Sequence, residues 1–220
     1  MRSIHRYTVT EAPIVIEKTV SNTLRPLFIN RVFPDAKYIH LIRDGRDVVE
    51  SAARQWVAPP DWNYIVKKSL SFPITEAFGY ALRYGATTIR KLILSGDQRA
   101  GTWGPRYQGI DEDVKTRDLL EVCALQWKRS VQKSLEGLDI IEPERVLTIR
   151  YEEFVVEPKH VLLQVAEFLE IDSKPYSQND LAHITQSNIG KGMKRIASRD
   201  EGKVIEIIRP LLIELGYMDG

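Results

Sequence analysis

The sequence predicts an α/β fold, a mostly parallel sheet with helices on its faces. Three observations carry this. Short β-branched runs at residues 12–18, 37–43 and 145–151 end abruptly in charge, as buried strands do. Helical patterns separate them, and strands alternating with helices pair in parallel. The 220 residues, 43% hydrophobic and 28% charged, suffice for one sizeable core. A single domain over 1–220 follows, with a variable helical and loop region at about 57–117.

The elements follow in order. "APIVIEK" (12–18) reads as the first buried strand. "SNTLRPLFINRVF" (21–33) reads as one helix, capped by Ser21 or Asn22, with Pro26 tolerated near its first turn. "KYIHLIR" (37–43) is the second strand, and Asp44 can cap a helix carrying Val48, Val49, Ala52 and Trp56. A helix is expected at about 75–94, then a long glycine-rich loop at 95–110. Leu120, Ala124, Trp127, Val131 and Leu135 recur at helical spacing, and Gly137 is the expected stop. "RVLTIRY" (145–151) is the third strand, followed by a helix at 157–169 that starts with proline. The last helix, at about 200–215, contains Pro210, where a kink or break is expected.

Lys plus Arg is 31 and Asp plus Glu is 30, so net charge points to neither nucleic acid nor a membrane surface. No apolar stretch reaches the ~18 residues needed to span a bilayer. The first residues lack the apolar centre of a signal peptide. The chain reads as soluble and cytoplasmic. Its one cysteine, Cys123, excludes an internal disulfide and argues against a cysteine metal site. Oligomeric state stays open, a homo-oligomer included.

The strand ends share a chemistry. Lys18, Arg43 and Arg150 would gather at one sheet edge, with Tyr151 beside them. Parallel sheets bind ligands outside the carboxyl ends of their strands. Arginine's planar fork suits phosphate or sulfate. Ser51 lies about 10 Å along a helix starting at Asp44. An anion could therefore lie along the helix flank between Arg43 and Ser51, with Asp47 on the same face. The plainer alternative is a capped helix whose Arg46, Asp47 and Ser51 face solvent. A second basic stretch runs from 181 to 199 without an acidic residue, and holds Lys191, Lys194, Arg195 and Arg199. Gly190 and Gly192 let its backbone approach an anion closely. A solvated loop is the alternative.

These residues resemble a known family. "YIHLIRDGRDVVES" is similar to the 3′-phosphate-binding segment of sulfotransferases that use 3′-phosphoadenosine 5′-phosphosulfate (PAPS). There an arginine at the strand end and a serine eight residues later hold the 3′-phosphate; the matching positions are Arg43 and Ser51. "RYEEFVVEPKHVLLQVAEFLEI" resembles the segment whose tyrosine lies near the adenine, here Tyr151. "IGKGMKR" resembles the late basic loop over the 3′-phosphate, with Lys191, Gly192 and Arg195 as its contacts. "EKTVSN" resembles the segment whose lysine approaches the transferred sulfonate, here Lys18.

The resemblance implies a fold like that of the P-loop nucleoside triphosphate hydrolases. It also implies PAPS as co-substrate, no metal, and a hydroxyl or amine acceptor, with a small alcohol, a sugar, a lipid and a peptide tyrosine all open; no nucleic acid partner and no membrane span are expected. Trp103, Arg106 and Tyr107 could shape the acceptor pocket, or merely pin their loop.

The family also carries a glycine-rich 5′-phosphosulfate loop before the "EKT" segment. No glycine precedes Gly45 here, so the domain is expected to be N-terminally incomplete and its catalysis weak or absent. Val20 stands where some relatives have a histidine base. Glu17 is a substitute base that can equally pair with Lys18. A nucleotide-binding remnant, or a subunit completed by another chain, is the alternative. A P-loop kinase relative is disfavoured by the lack of a Walker loop.

Overall fold

The computed structural model describes residues 14–58, 103–172, 181–196 and 198–219. The helix expected at 75–94 and most of the loop before residue 103 lie outside them.

Among the described residues the sheet has two strands, β1 (Tyr38–Ile42) and β2 (Val146–Arg150). They pair in parallel, Tyr38 opposite Val146 and Ile42 opposite Arg150. Parallel pairing needs a crossover. Here the crossover includes α2 (Gly45–Val57), α3 (Ile110–Thr116) and α4 (Leu119–Leu138). Asp44 caps α2 as expected, accepting from the Arg46 N–H at 2.9 Å. A capping box of Asp118 and Glu121 starts α4.

β2 runs directly into α5 (Tyr151–Val156) and α6 (Pro158–Leu169), with proline at the first position of α6. A short helix α7 (Gly192–Arg195) and the final helix α8 (Ser198–Glu214) complete the chain. The main core lies where α2, α4 and α8 meet. It buries Val49, Ala52, Cys123, Ala124, Trp127, Val204, Ile208 and Leu212. Burial pushes the Cys123 thiol up to about 12, so it is an inert core group.

Four expectations change. Residues 14–19 form no strand: Ile14, Val15 and Ile16 are exposed and pair with neither β1 nor β2. A β-branched run becomes a strand only where a partner edge and a covering face exist. Here Glu17 instead accepts hydrogen bonds from the Thr19 hydroxyl and the Asn22 amide, fixing the entry to a 3₁₀ turn at Val20–Leu24. The helix expected at 21–33 is that turn followed by α1 (Pro26–Val32). Pro26 at the first position of α1 pushes Arg25 out of helical backbone, to φ −149°.

Gly137 does not end α4, which continues to Leu138. It is the contact point for α1, because a Cβ there would lie 2.3 Å from the Pro26 ring. Finally, Pro210 does not break α8, which continues to Glu214. Pro210 and Glu206 are exposed, so the Glu206 carbonyl that loses its donor can turn to water, while Leu211 and Leu212 stay packed.

β1 buries one polar side chain, His40. Its Nε2 lies 2.9 Å from the Ser134 hydroxyl on α4, and that hydroxyl donates to the Val131 carbonyl. The direction of the His40–Ser134 bond follows the ring's tautomer. Burial lowers the His40 pKa from 6.5. Above pH 6.5 the ring is neutral in both folded and unfolded chains. Below it the unfolded chain takes up the proton more readily than the folded one, so stability falls as pH falls. His40 therefore contributes a slope of that sign, bounded by about 1.4 kcal/mol per pH unit for one proton and growing as pH falls below 6.5. In His40→Gln that contribution is absent, which urea unfolding of both proteins from pH 7 to 5.5 measures. Equal slopes would contradict a buried neutral His40.

Candidate functional site

The site forms where β1 and β2 end. Because Ile42 faces Arg150 in a parallel register, the next residues, Arg43 and Tyr151, leave the sheet side by side. The Arg43 guanidinium lies over the Tyr151 ring, 4.4 Å from its centroid. Trp127 fixes the turn that follows. Its indole N–H donates to the Arg43 carbonyl at 3.3 Å, and its ring leaves no room for a Cβ at Gly45. Gly45 is thus a close-packing residue, and α4 dictates where α2 begins.

The basic loop docks on α2 beside Arg43. Arg43 Nη2 donates to the Asn188 carbonyl at 2.8 Å. Asp47, 3% exposed, accepts from the backbone N–H of Gly190 at 2.8 Å and of Gly192 at 2.6 Å. A Cβ at Gly192 would lie 2.1 Å from the Arg46 carbonyl oxygen, so only glycine allows this approach. Gly190 has φ +66°, a second reason for glycine. Arg195 Nη1 lies 3.4 Å from Glu50, which also pairs with Arg54 at 2.7 Å. Arg43, Asp47 and Glu50 are spaced to share one side of the helix, and Ser51 lies next to Glu50.

The structure therefore gathers Arg43, Tyr151, Gly192 and Arg195 around α2, with Lys191 between the two docked glycines. The Nε of Arg43 is buried without a partner, whereas a native buried donor normally has one. Ser51 is partly buried and makes no side-chain hydrogen bond among the described residues.

Other expected members are elsewhere. Lys18 is exposed on the extended segment before the 3₁₀ turn and makes no ion pair or hydrogen bond among the described residues. Glu17 does not pair with Lys18, because its carboxylate is taken by Thr19 and Asn22. Arg150 is turned toward the C-terminal segment, donating to the Leu215 carbonyl and stacking 4.8 Å from the Tyr217 ring. Arg106 pairs with Asp111 at 2.6 Å, and Tyr107 donates to Asp113 at 2.8 Å. Gln126 holds the carbonyls of Trp103 and Pro105 at 2.7 and 2.9 Å. Pinning of this loop accounts for Arg106 and Tyr107; Trp103 remains exposed.

Sequence reading missed two contributors. Spacing puts Asp47 on the Ser51 face, beside an anion or in solvent, and nothing in it marks Asp47 as buried. The C-terminal clasp was also unseen: Tyr217 donates to Glu152 at 2.9 Å, Glu152 accepts from the Asp44 N–H at 3.0 Å, and Arg46 donates to the Tyr217 carbonyl at 2.9 Å. Burial, then the bond to Glu152, pushes the Tyr217 phenol up. A shallow groove of about 450 Å³ along α5 and α6 is lined by Glu152, Glu153, Glu157 and His160. Its three carboxylates give it the wrong sign for a phosphate. Among the described residues no cluster of acidic, histidine or cysteine side chains could hold a metal ion, and no helix is long and apolar enough to cross a membrane.

Comparison with known proteins finds a resemblance over part of the chain. The model of the sulfotransferase family matches residues 2–84, which include Lys18, Arg43 and Ser51. The match covers 83 of the 220 residues. Among solved structures, a "Sulfotransferase Domain from the Curacin Biosynthetic Pathway" is similar at 21% identity and a TM-score of 0.47, over 87% of this chain. The chain spans 59% of the length of that domain. The comparison with curated proteins finds no match.

The clasp is testable without ligand. Tyr217→Phe removes one charge-assisted hydrogen bond, and is expected to cost about 1–2 kcal/mol of stability, read by urea unfolding. No change would mean that Tyr217 is held by packing alone.

Proposed function

We propose that the chain is a PAPS-dependent sulfotransferase domain of P-loop-like fold, and that the crevice at Arg43 takes the donor's 3′-phosphate. One observation carries this reading: a strand-end arginine, stacked on Tyr151 and tied to the basic loop at Asn188, keeps a buried Nε without a partner. An oxyanion is the acceptor such a fork lacks.

In this reading Arg43, Ser51, Lys191 and Arg195 hold the 3′-phosphate, and Tyr151 flanks the adenine. Gly192 contributes close approach of the loop rather than its N–H, which Asp47 already occupies. When bound, the donor supplies an activated sulfonate for transfer to a hydroxyl or amine. A cation near the sulfonate lowers the barrier by stabilising charge on its oxygens. Lys18, exposed and without a partner among the described residues, can supply it. A general base must take the acceptor's proton. Glu17 serves only if it leaves Thr19 and Asn22.

A second reading, a nucleotide-binding chain whose transfer site another chain completes, is favoured by one observation. Ile39 and Leu41 on β1 are 44% and 55% exposed, more than a buried parallel strand leaves uncovered. Sedimentation velocity combined with PAPS turnover separates the two. A monomer that turns over PAPS supports the first; an inactive monomer that still binds nucleotide supports the second.

The 3′-phosphate assignment has its own test. Adenosine 3′,5′-bisphosphate is expected to bind the whole chain about tenfold or more tighter than AMP, since charged hydrogen bonds contribute about 1.5–3 kcal/mol each. Arg43→Ala is expected to erase the difference. Calorimetric titration showing equal affinities in the wild-type chain would refute the site.

A further inference from the structure

We propose that Asp47 is a positioning residue: its carboxylate latches the basic loop 188–195 onto α2, and so holds Lys191 and Arg195 in the anion crevice. The inference rests on the 3′-phosphate reading and adds a residue that the family resemblance does not supply.

The motivating oddity is a buried carboxylate in the middle of a site meant for an anion. Alone, Asp47 would repel a phosphate and suffer desolvation. Its geometry removes both objections. One oxygen accepts from Gly192 N–H at 2.6 Å, and the other from Gly190 N–H at 2.8 Å. The second oxygen also lies 3.7 Å from Arg43 Nη2. The charge is thus met by two backbone dipoles and a guanidinium, all in the candidate site.

The same contacts act on the loop. Lys191 lies between the two latched amides, so its backbone is clamped on both sides. Gly192 rests on the α2 backbone, where a Cβ would meet the Arg46 carbonyl at 2.1 Å and the Asp47 Cα at 2.7 Å. Asn188 is held by Arg43 and Arg195 lies beside Glu50, so Asp47 is the middle of three attachments. It is the one that bonds the loop twice through backbone. A loop carrying Lys191, Lys194 and Arg195 repels itself, and the carboxylate offsets that charge at the docking point. Asn in its place keeps the size but has one acceptor oxygen for two donors.

The test pairs a ligand readout with a ligand-free one, comparing the whole wild-type chain with Asp47→Asn. Trypsin cuts after Lys191, Lys194 and Arg195, so loop docking is read as cleavage rate at these bonds. Cleavage there is expected to rise about tenfold in Asp47→Asn, with cleavage elsewhere unchanged. The preference for adenosine 3′,5′-bisphosphate over AMP is expected to fall at least fivefold, while AMP affinity stays within twofold. A merely structural loss would weaken both nucleotides alike.

Undiminished preference in Asp47→Asn, or unchanged loop cleavage, overturns the inference and leaves the phosphate reading standing. A wild-type chain without the preference overturns the phosphate reading and the positioning role with it. If Asp47→Asn fails to fold by circular dichroism, Gly192→Ala breaks the latch from the loop side. It is expected to show the same faster cleavage and lost preference, and wild-type behaviour in it likewise overturns the proposal.

Discussion

The parallel ladder between β1 and β2 is the constraint on which the rest depends. Parallel strands run out at the same edge, so the residues following Ile42 and Arg150 emerge as neighbours although more than a hundred positions separate them in the chain. That juxtaposition stacks Arg43 on Tyr151. It also starts two helices, α2 and α5, from the same edge. The Asp44 N–H then meets the Glu152 carboxylate, which in turn receives the Tyr217 hydroxyl. Shifting the register by one residue would turn each strand over and separate all of these partners.

The charges around this edge follow one rule. Each carboxylate there is spent on a local donor: Asp44 on the Arg46 N–H and guanidinium, Asp47 on two loop amides, Glu50 on Arg54, and Glu152 on Asp44 N–H and Tyr217. Arg46 and Arg150 are used in the clasp with the C-terminal segment. Lys191 and Lys194, by contrast, have no ion pair among the described residues. A chain that is close to neutral overall thereby acquires a local excess of positive charge, which composition cannot reveal.

Much of this was legible, and the reasons are local. β1 and β2 are apolar runs with sharp charged ends, Asp44 is a good cap, and Pro158 sits where proline begins a helix. Arg43 and Tyr151 were legible as neighbours because parallel strands end at one edge of the sheet. The failures are equally specific. Residues 14–18 have the composition of a strand but pair with neither described strand, and Glu17 is instead bonded to Thr19 and Asn22. Gly137 looks like a helix stop, and is a glycine because Pro26 packs on it. Arg150 looks like a companion of Arg43, but the C-terminal segment claims it.

What the sequence determined by itself is the alternation of strands and helices, the cap at Asp44, and a set of cations at spacings that suit an oxyanion. These depend on neighbours within a few residues, so periodicity and residue type are enough. Only the tertiary structure decided which cations meet. It brought the 188–195 loop to Arg43, buried Asp47 beneath it, and sent Arg150 away. Those outcomes depend on contacts between residues 65 to 145 positions apart. No local pattern encodes them, because each is settled by which donor, a loop N–H or a guanidinium, comes within reach of a carboxylate or a backbone carbonyl.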